Sequence, residues 1–179
     1  MGPKMRRCLV IDASVASAAG ESDDPDSIRC REFLEKVFLI CHKMVLSRAL
    51  LEEWERHESD FARTWRAGMT DKRKVLPVAA KNQAGLIQEI DRLGSSSKKK
   101  KEMSKDAHLL SAATESDHIV VSLDDTAKFM FAELSGSVTG VGDVVWVNPS
   151  HPDEDAIAWV KAGAKNEQKR QLSNYRRGA

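Results

Sequence analysis

Four carboxylates stand where a parallel sheet could bring them to one place. Asp12 closes the apolar run "RRCLVIDAS", and Asp124 closes a second apolar run, "HIVVSLDD". An ionised carboxylate is costly to desolvate, so one at the mouth of a buried strand calls for a charged or metallic partner. Asp106 lies in "SKDAHLLSAA", read as the first turn of a helix capped by Ser104, and Glu53 lies in "SRALLEEW", on a helix that follows another short strand. Taken singly, Asp106 could simply favour the positive end of a helix dipole, and Glu53 could be a surface glutamate. Together they say more. Ligands of an open parallel sheet bind beyond the C-terminal strand ends, where the strand order reverses. If the strands ending in Asp12 and Asp124 are neighbours there, their carboxylates converge.

Four gathered carboxylates would raise one another's pKa values, and a divalent cation resolves that conflict. Mg²⁺ and Mn²⁺ prefer oxygen ligands, and the chain lacks the Cys and His spacings of a zinc site. Such a centre suits phosphodiester hydrolysis, in which water attacks a phosphate whose developing charge the cation neutralises. The expected metal-holding residues are Asp12, Asp106 and Asp124, with Glu53 as a fourth catalytic acid. Ser14 and Ser122 flank two of the acids and would orient a carboxylate or a bound water; local turn capping explains them equally well.

The elements that must position these acids read as strands alternating with helices. Residues 6–11 form an apolar strand, and Asp24 with Pro25 opens a helix through "SIRCREFLEKVFL". "MVLS" is a short strand, and Ser47 caps a long helix or helix pair ending at Gly68. The pattern in 77–94 is an amphipathic helix with Gly94 beyond its end, followed by a Ser/Lys loop. Strands at 118–125 and 143–150 enclose one helix, and another closes the fold. This alternation predicts a three-layer α/β/α domain with a central parallel sheet over residues 1–164, then a flexible basic tail over 165–179.

Composition sets the outer limits. The chain has 179 residues, 41% hydrophobic and 31% charged, with a net charge of +1. No apolar run approaches the roughly 18 residues of a bilayer span, and the N-terminal apolar segment is too short for a signal-peptide core, so a cytoplasmic location and no membrane partner are expected. Cys8, Cys30 and Cys41 show no paired spacing and read as core residues. Trp54 and Trp65 read as core or interface anchors in preference to base-stacking platforms. Charge is segregated: the runs holding Arg63, Arg66, Lys72 and Arg73, and Lys98, Lys99, Lys100 and Lys101, are basic and could grip a polyanion, which makes nucleic acid the expected partner.

The same residues resemble the PIN-domain ribonuclease family, the group that includes the toxin halves of many prokaryotic toxin–antitoxin pairs. The likeness runs from about residue 7 to 148, through "LVIDAS", "LSRALLEEW", "KDAHLLSAA" and "VVSLDD" in that order. It implies an Mg²⁺- or Mn²⁺-dependent endoribonuclease, frequent homodimerisation and an antitoxin partner, with Glu53 preferred over Glu52. The doublet Asp124–Asp125 leaves open which acid faces the metal. Competing readings are a structure-specific DNA nuclease and a non-catalytic nucleic-acid- or protein-binding module of the same fold.

Overall fold

The computed structural model describes residues 5–176. Among them, five strands form one all-parallel sheet in the order β3-β2-β1-β4-β5: β1 (Cys8–Ile11), β2 (Lys43–Leu46), β3 (Val75–Pro77), β4 (Ile119–Val121) and β5 (Val145–Val147). Helices cover both faces, so the expected three-layer α/β/α class is the one observed. The central strands are continuous apolar runs because both of their faces are covered. Leu9, Val10, Ile11, Val120, Val121 and Val145 are all fully buried.

The chain first builds the sheet outward from β1 through β2 to β3, then returns to the other side of β1 with β4 and β5. The reversal therefore falls between β1 and β4, which pair in register at Val10 with Val120 and at Ile11 with Val121. That crevice is where an open sheet of this kind binds its ligands.

Helix α1 (Ala13–Ala18) follows β1 directly, and α2 (Pro25–Leu39) starts where Asp24 accepts a hydrogen bond from Ser27 N. Ser47 caps α3 (Arg48–His57) through Leu50 N. The long helical pattern is a helix pair: the chain breaks at Glu58 and Ser59, and Ser59 caps α4 (Asp60–Asp71). Trp54 and Trp65, one from each helix, stack with centroids 5.8 Å apart. Their indole N–H groups donate to Ile11 O and Leu34 O, so both are core anchors.

Three expectations change. The pattern over 77–94 predicts helix throughout, but the segment begins as the end of edge strand β3, and α5 covers only Gln83–Arg92. Pro77 lacks a donor and closes the edge strand, a position that tolerates it. The Ser/Lys stretch is not a loop. Ser96 accepts from Lys99 N and caps α6 (Ser97–Thr114), so the lysines occupy its first turns and Asp106 sits in its middle. Lysine is a good helix former, and the charge run masked that propensity.

The third change concerns the chain after α7 (Asp125–Leu134) and α8 (Ala156–Lys161). Of the segment expected to be a flexible tail, the described part, 165–176, packs back on the sheet. Leu172 is fully buried and its N–H donates to Val144 O, Gln171 bridges to Val145, and Arg170 is buried beside Glu154 and Glu167. Three anchoring side chains, Arg170, Leu172 and Tyr175, outweigh the polar composition around them. Residues 1–4 and 177–179, included in the expected boundaries, lie outside the described residues. Core placement holds for Cys30 but not for Cys41, which is exposed, while Cys8 is half-buried. Among the described residues no helix is long and apolar enough to cross a membrane.

Candidate active site

Asp12, Glu53, Asp106 and Asp124 line one cleft of about 330 Å³. It opens beyond the C-terminal ends of β1 and β4, at the reversal of strand order. Each acid arrives from a separate segment. Asp12 follows β1, with its N–H bonded to Val121 O of β4. Asp124 is the N-cap of α7, where its Oδ1 accepts from Ala127 N. Glu53 projects from α3 and Asp106 from the middle of α6.

Two serines fasten the strand ends together. Ser14 Oγ and Ser122 Oγ both donate to Asp12 Oδ2, at 2.6 and 2.8 Å. Ser14 Oγ in turn accepts from Leu123 N, and Ser122 Oγ accepts from Asp124 N. The hydroxyls therefore serve both expectations, orienting a carboxylate and holding a turn.

The open choices within the two acid doublets are resolved by geometry. Glu53 lines the cleft, whereas Glu52 turns outward to Arg48 at 3.0 Å. Asp124 lines the cleft, whereas Asp125 turns away, accepting from Asn148 Nδ2 and meeting His151 Nε2 at 2.7 Å. Asn148, buried at the end of β5, also donates to Leu123 O and so braces the loop that carries Asp124.

The electrostatics follow from this crowding. Burial pushes the Asp106 carboxyl up to about 6, and the negative charges of Asp12, Asp124 and Glu53 push the same way while Lys105 opposes them. Desolvation and like charge both disfavour an ionised carboxylate. The acids thus feel one another, which is the behaviour expected of a functional cluster and unlike that of a solvated surface.

Four further polar side chains line the cleft without having been expected there: Ser17, His57, Lys105 and His108. His57 could have been found, since it lies four residues after Glu53 and therefore on the same helical face; its Nε2 is 3.6 Å from Glu53 Oε2. His108 is buried, and its Nδ1 lies 3.0 Å from Lys105 O.

The basic residues divide differently from expectation. Arg66 makes a two-pronged pair with the buried Glu58, at 2.7 and 2.8 Å, and Arg63 joins it while also pairing with Asp60. These guanidiniums are committed to the helix junction. Lys72 and Arg73 lie in the turn that leads into β3, at the N-terminal edge of a sheet whose cleft is at the opposite edge. They are too far round the molecule to serve it. On α6, Lys99 pairs with Glu133 and Lys100 donates to Asp91 O, whereas Lys98 and Lys101 are exposed.

The donor set of three aspartates, a glutamate and two hydroxyls fits a hard divalent cation by type. Among the described residues, however, no three His, Cys, Asp or Glu side chains stand in ready metal-holding geometry. Asp12 and Asp124 each give an oxygen to local hydrogen bonds, and unneutralised carboxylates repel. Comparison with protein-family models, with curated proteins and with solved structures gave no match to this chain.

Proposed function

We propose that the cleft is the active site of a metal-dependent endoribonuclease of the PIN-domain kind. The observation that carries this reading is the convergence of Asp12, Glu53, Asp106 and Asp124 from four segments at the sheet's reversal point, with Asp106 pushed up to about 6 by burial and by the other three. Acids that merely decorate a surface have no reason to converge from four segments on one cleft, where their like charges oppose one another.

Asp12, Asp106 and Asp124 would hold Mg²⁺ or Mn²⁺, which when bound supplies Lewis acidity toward the phosphate and toward an attacking water. Ser14 and Ser122 fix the rotamer of Asp12 through its Oδ2. Glu53 is the carboxylate left to accept a proton at the cleft, with His57 and Arg56 holding its oxygens at 3.6 and 3.3 Å. Lys105 supplies positive charge at the cleft for a phosphate. The same resemblance extends the reading to a toxin restrained by an antitoxin and to a homodimer.

The test is cleavage of structured and unstructured RNA, with single-stranded DNA as competitor, in Mn²⁺ or in EDTA. Cleavage is expected only with the metal. Asp12→Asn and Asp106→Asn should each lower it by at least about a hundredfold, beyond the loss typical of an outer-shell metal partner. Cleavage that survives chelation and both substitutions overturns the assignment. DNA cut in preference to RNA converts it to a DNA nuclease, and tight RNA binding without cleavage under any metal converts it to a binding module.

A further inference from the structure

Helices α6 and α7 pack against each other beside the acid cleft. Asp106 and Asp124 stand at one end, and at the other Lys99 Nζ meets Glu133 Oε2 at 2.7 Å, so the helices run antiparallel. Asp106 and Lys99 are seven residues apart on α6, about 10 Å along its axis. There a second cavity, of about 380 Å³, is lined by Lys99, Glu102, Phe129 and Tyr175. Phe129 is 42% exposed and lies edge-on to Tyr175, with centroids 6.3 Å apart and planes at 82°. Tyr175 is itself held by Lys128 Nζ, 3.9 Å from its ring centroid.

Beside this cavity runs a stripe of positive charge. Lys98, Lys101 and Lys105 are exposed and fall at i, i+3 and i+7, a spacing that puts them on one face of α6. The stripe leads into the cleft, which Lys105 also lines. The cavity has the opposite character. Its lysine is neutralised by Glu133, and the Glu102 carboxylate adds negative charge that would repel a phosphate.

We infer that the surface from the acid cleft to this cavity is a nucleotide track with a base subsite. Phosphates follow Lys98, Lys101 and Lys105, and an unpaired base about two helical turns from the acids stacks on Phe129 with an exocyclic amino group toward Glu102. An aromatic face accepts any base, whereas a carboxylate set at the exocyclic 4- or 6-position accepts from the amino groups of cytosine and adenine and meets the O4 carbonyl on uracil, whose one donor, N3–H, lies at the neighbouring ring position. The position of the scissile phosphate in this scheme rests on the nuclease reading of the acid cleft; the stacking and the amino-group preference do not.

The experiment uses the full chain in EDTA, with oligoadenylate, oligocytidylate and oligouridylate, the first carrying one 2-aminopurine whose fluorescence falls on stacking. Wild type should quench the probe and bind the adenylate and cytidylate strands more tightly than uridylate. Phe129→Leu should remove the quenching and weaken binding about tenfold, while Phe129→Tyr restores both. Glu102→Gln, which offers donor and acceptor alike, should narrow the preference over uridylate. Lys101→Gln should reduce the salt dependence of binding by about one unit of slope and leave the quenching intact. Quenching unchanged in Phe129→Leu, equal binding of the three strands, or no strand bound at all overturns the subsite. Metal-dependent cleavage together with unchanged quenching overturns the subsite alone. Quenching that depends on Phe129 in a protein that never cleaves overturns the nuclease reading alone.

Discussion

Two groups of acid lie along the same edge of the sheet and have opposite electrostatic outcomes. Beyond β5, Glu154 accepts from Lys128 Nζ at 3.0 Å and from Asn148 N at 2.8 Å, and Arg170 Nη1 stands 4.0 Å from its second oxygen. The side chains of Lys128, Arg170 and Glu154 are 6%, 8% and 13% exposed, so charge there is buried with its countercharge. Beyond β1 and β4, Asp106 meets three other carboxylates with Lys105 as the opposing charge, and its carboxyl is pushed up to about 6. Between the two lies Asp125, turned toward Asn148 and His151 and away from the cleft. The contrast teaches how to read buried acid. A compensated carboxylate serves the fold, whereas a cluster short of countercharge strains it and marks a candidate functional site.

The largest test of that contrast is at Glu154. Glu154→Ala leaves Lys128 and Arg170 without their buried partner and should cost about 3–5 kcal/mol in urea unfolding. A loss below about 1 kcal/mol would mean the pair is not holding the C-terminal segment to the sheet.

Substitution in the cleft should have the opposite sign. Folding raises the Asp106 pKa from 3.8 to about 6, so the folded chain binds its proton more tightly than the unfolded chain does. That contribution favours folding fully below about pH 3.8 and is lost as pH rises through about 6, leaving ionised Asp106 a standing cost at neutral pH. Asp106→Asn should therefore stabilise the metal-free protein by about 1–3 kcal/mol at pH 8. The gain should vanish as pH falls from about 6 to about 4. Unfolding curves across that range check the sign, and a destabilised Asp106→Asn at pH 8 would remove the distinction between the two acid groups.

A smaller effect sharpens the comparison further. Mn²⁺ at ten times its dissociation constant should stabilise wild type by about 1.4 kcal/mol, measured as a rise in Tm. Asp106→Asn should lose most of that rise. A substitution in the Glu154 group mild enough to keep the fold, such as Arg170→Lys, should retain it.

Features set by near neighbours in the chain show in the sequence, and those set by distant ones do not. The strand-to-acid endings at Asp12 and Asp124 were legible because an apolar run that stops at a carboxylate is a local pattern. So were the caps at Asp24 and Ser47, whose side chains bond to backbone N–H groups only three residues away. The extent of α6 was not, because a lysine run carries helix propensity and loop-like charge at once, and the Ser96 cap tipped the balance. Nor was the fate of Arg66 legible, since its partner Glu58 is a buried acid eight residues away across a helix junction.

By itself the sequence determined the periodicity, the alternation of strand and helix, and therefore the parallel α/β class, because these depend on neighbours within a few residues. It also supplied four candidate acids. Only the tertiary structure decided that Asp12, Glu53, Asp106 and Asp124 share one cleft, that Glu53 and Asp124 face it while Glu52 and Asp125 do not, and that the segment 165–176 is anchored. The physical reason is range. Backbone hydrogen bonding and helical spacing are local, whereas desolvation and charge act through space between groups as far apart in the chain as Asp12 and Asp124.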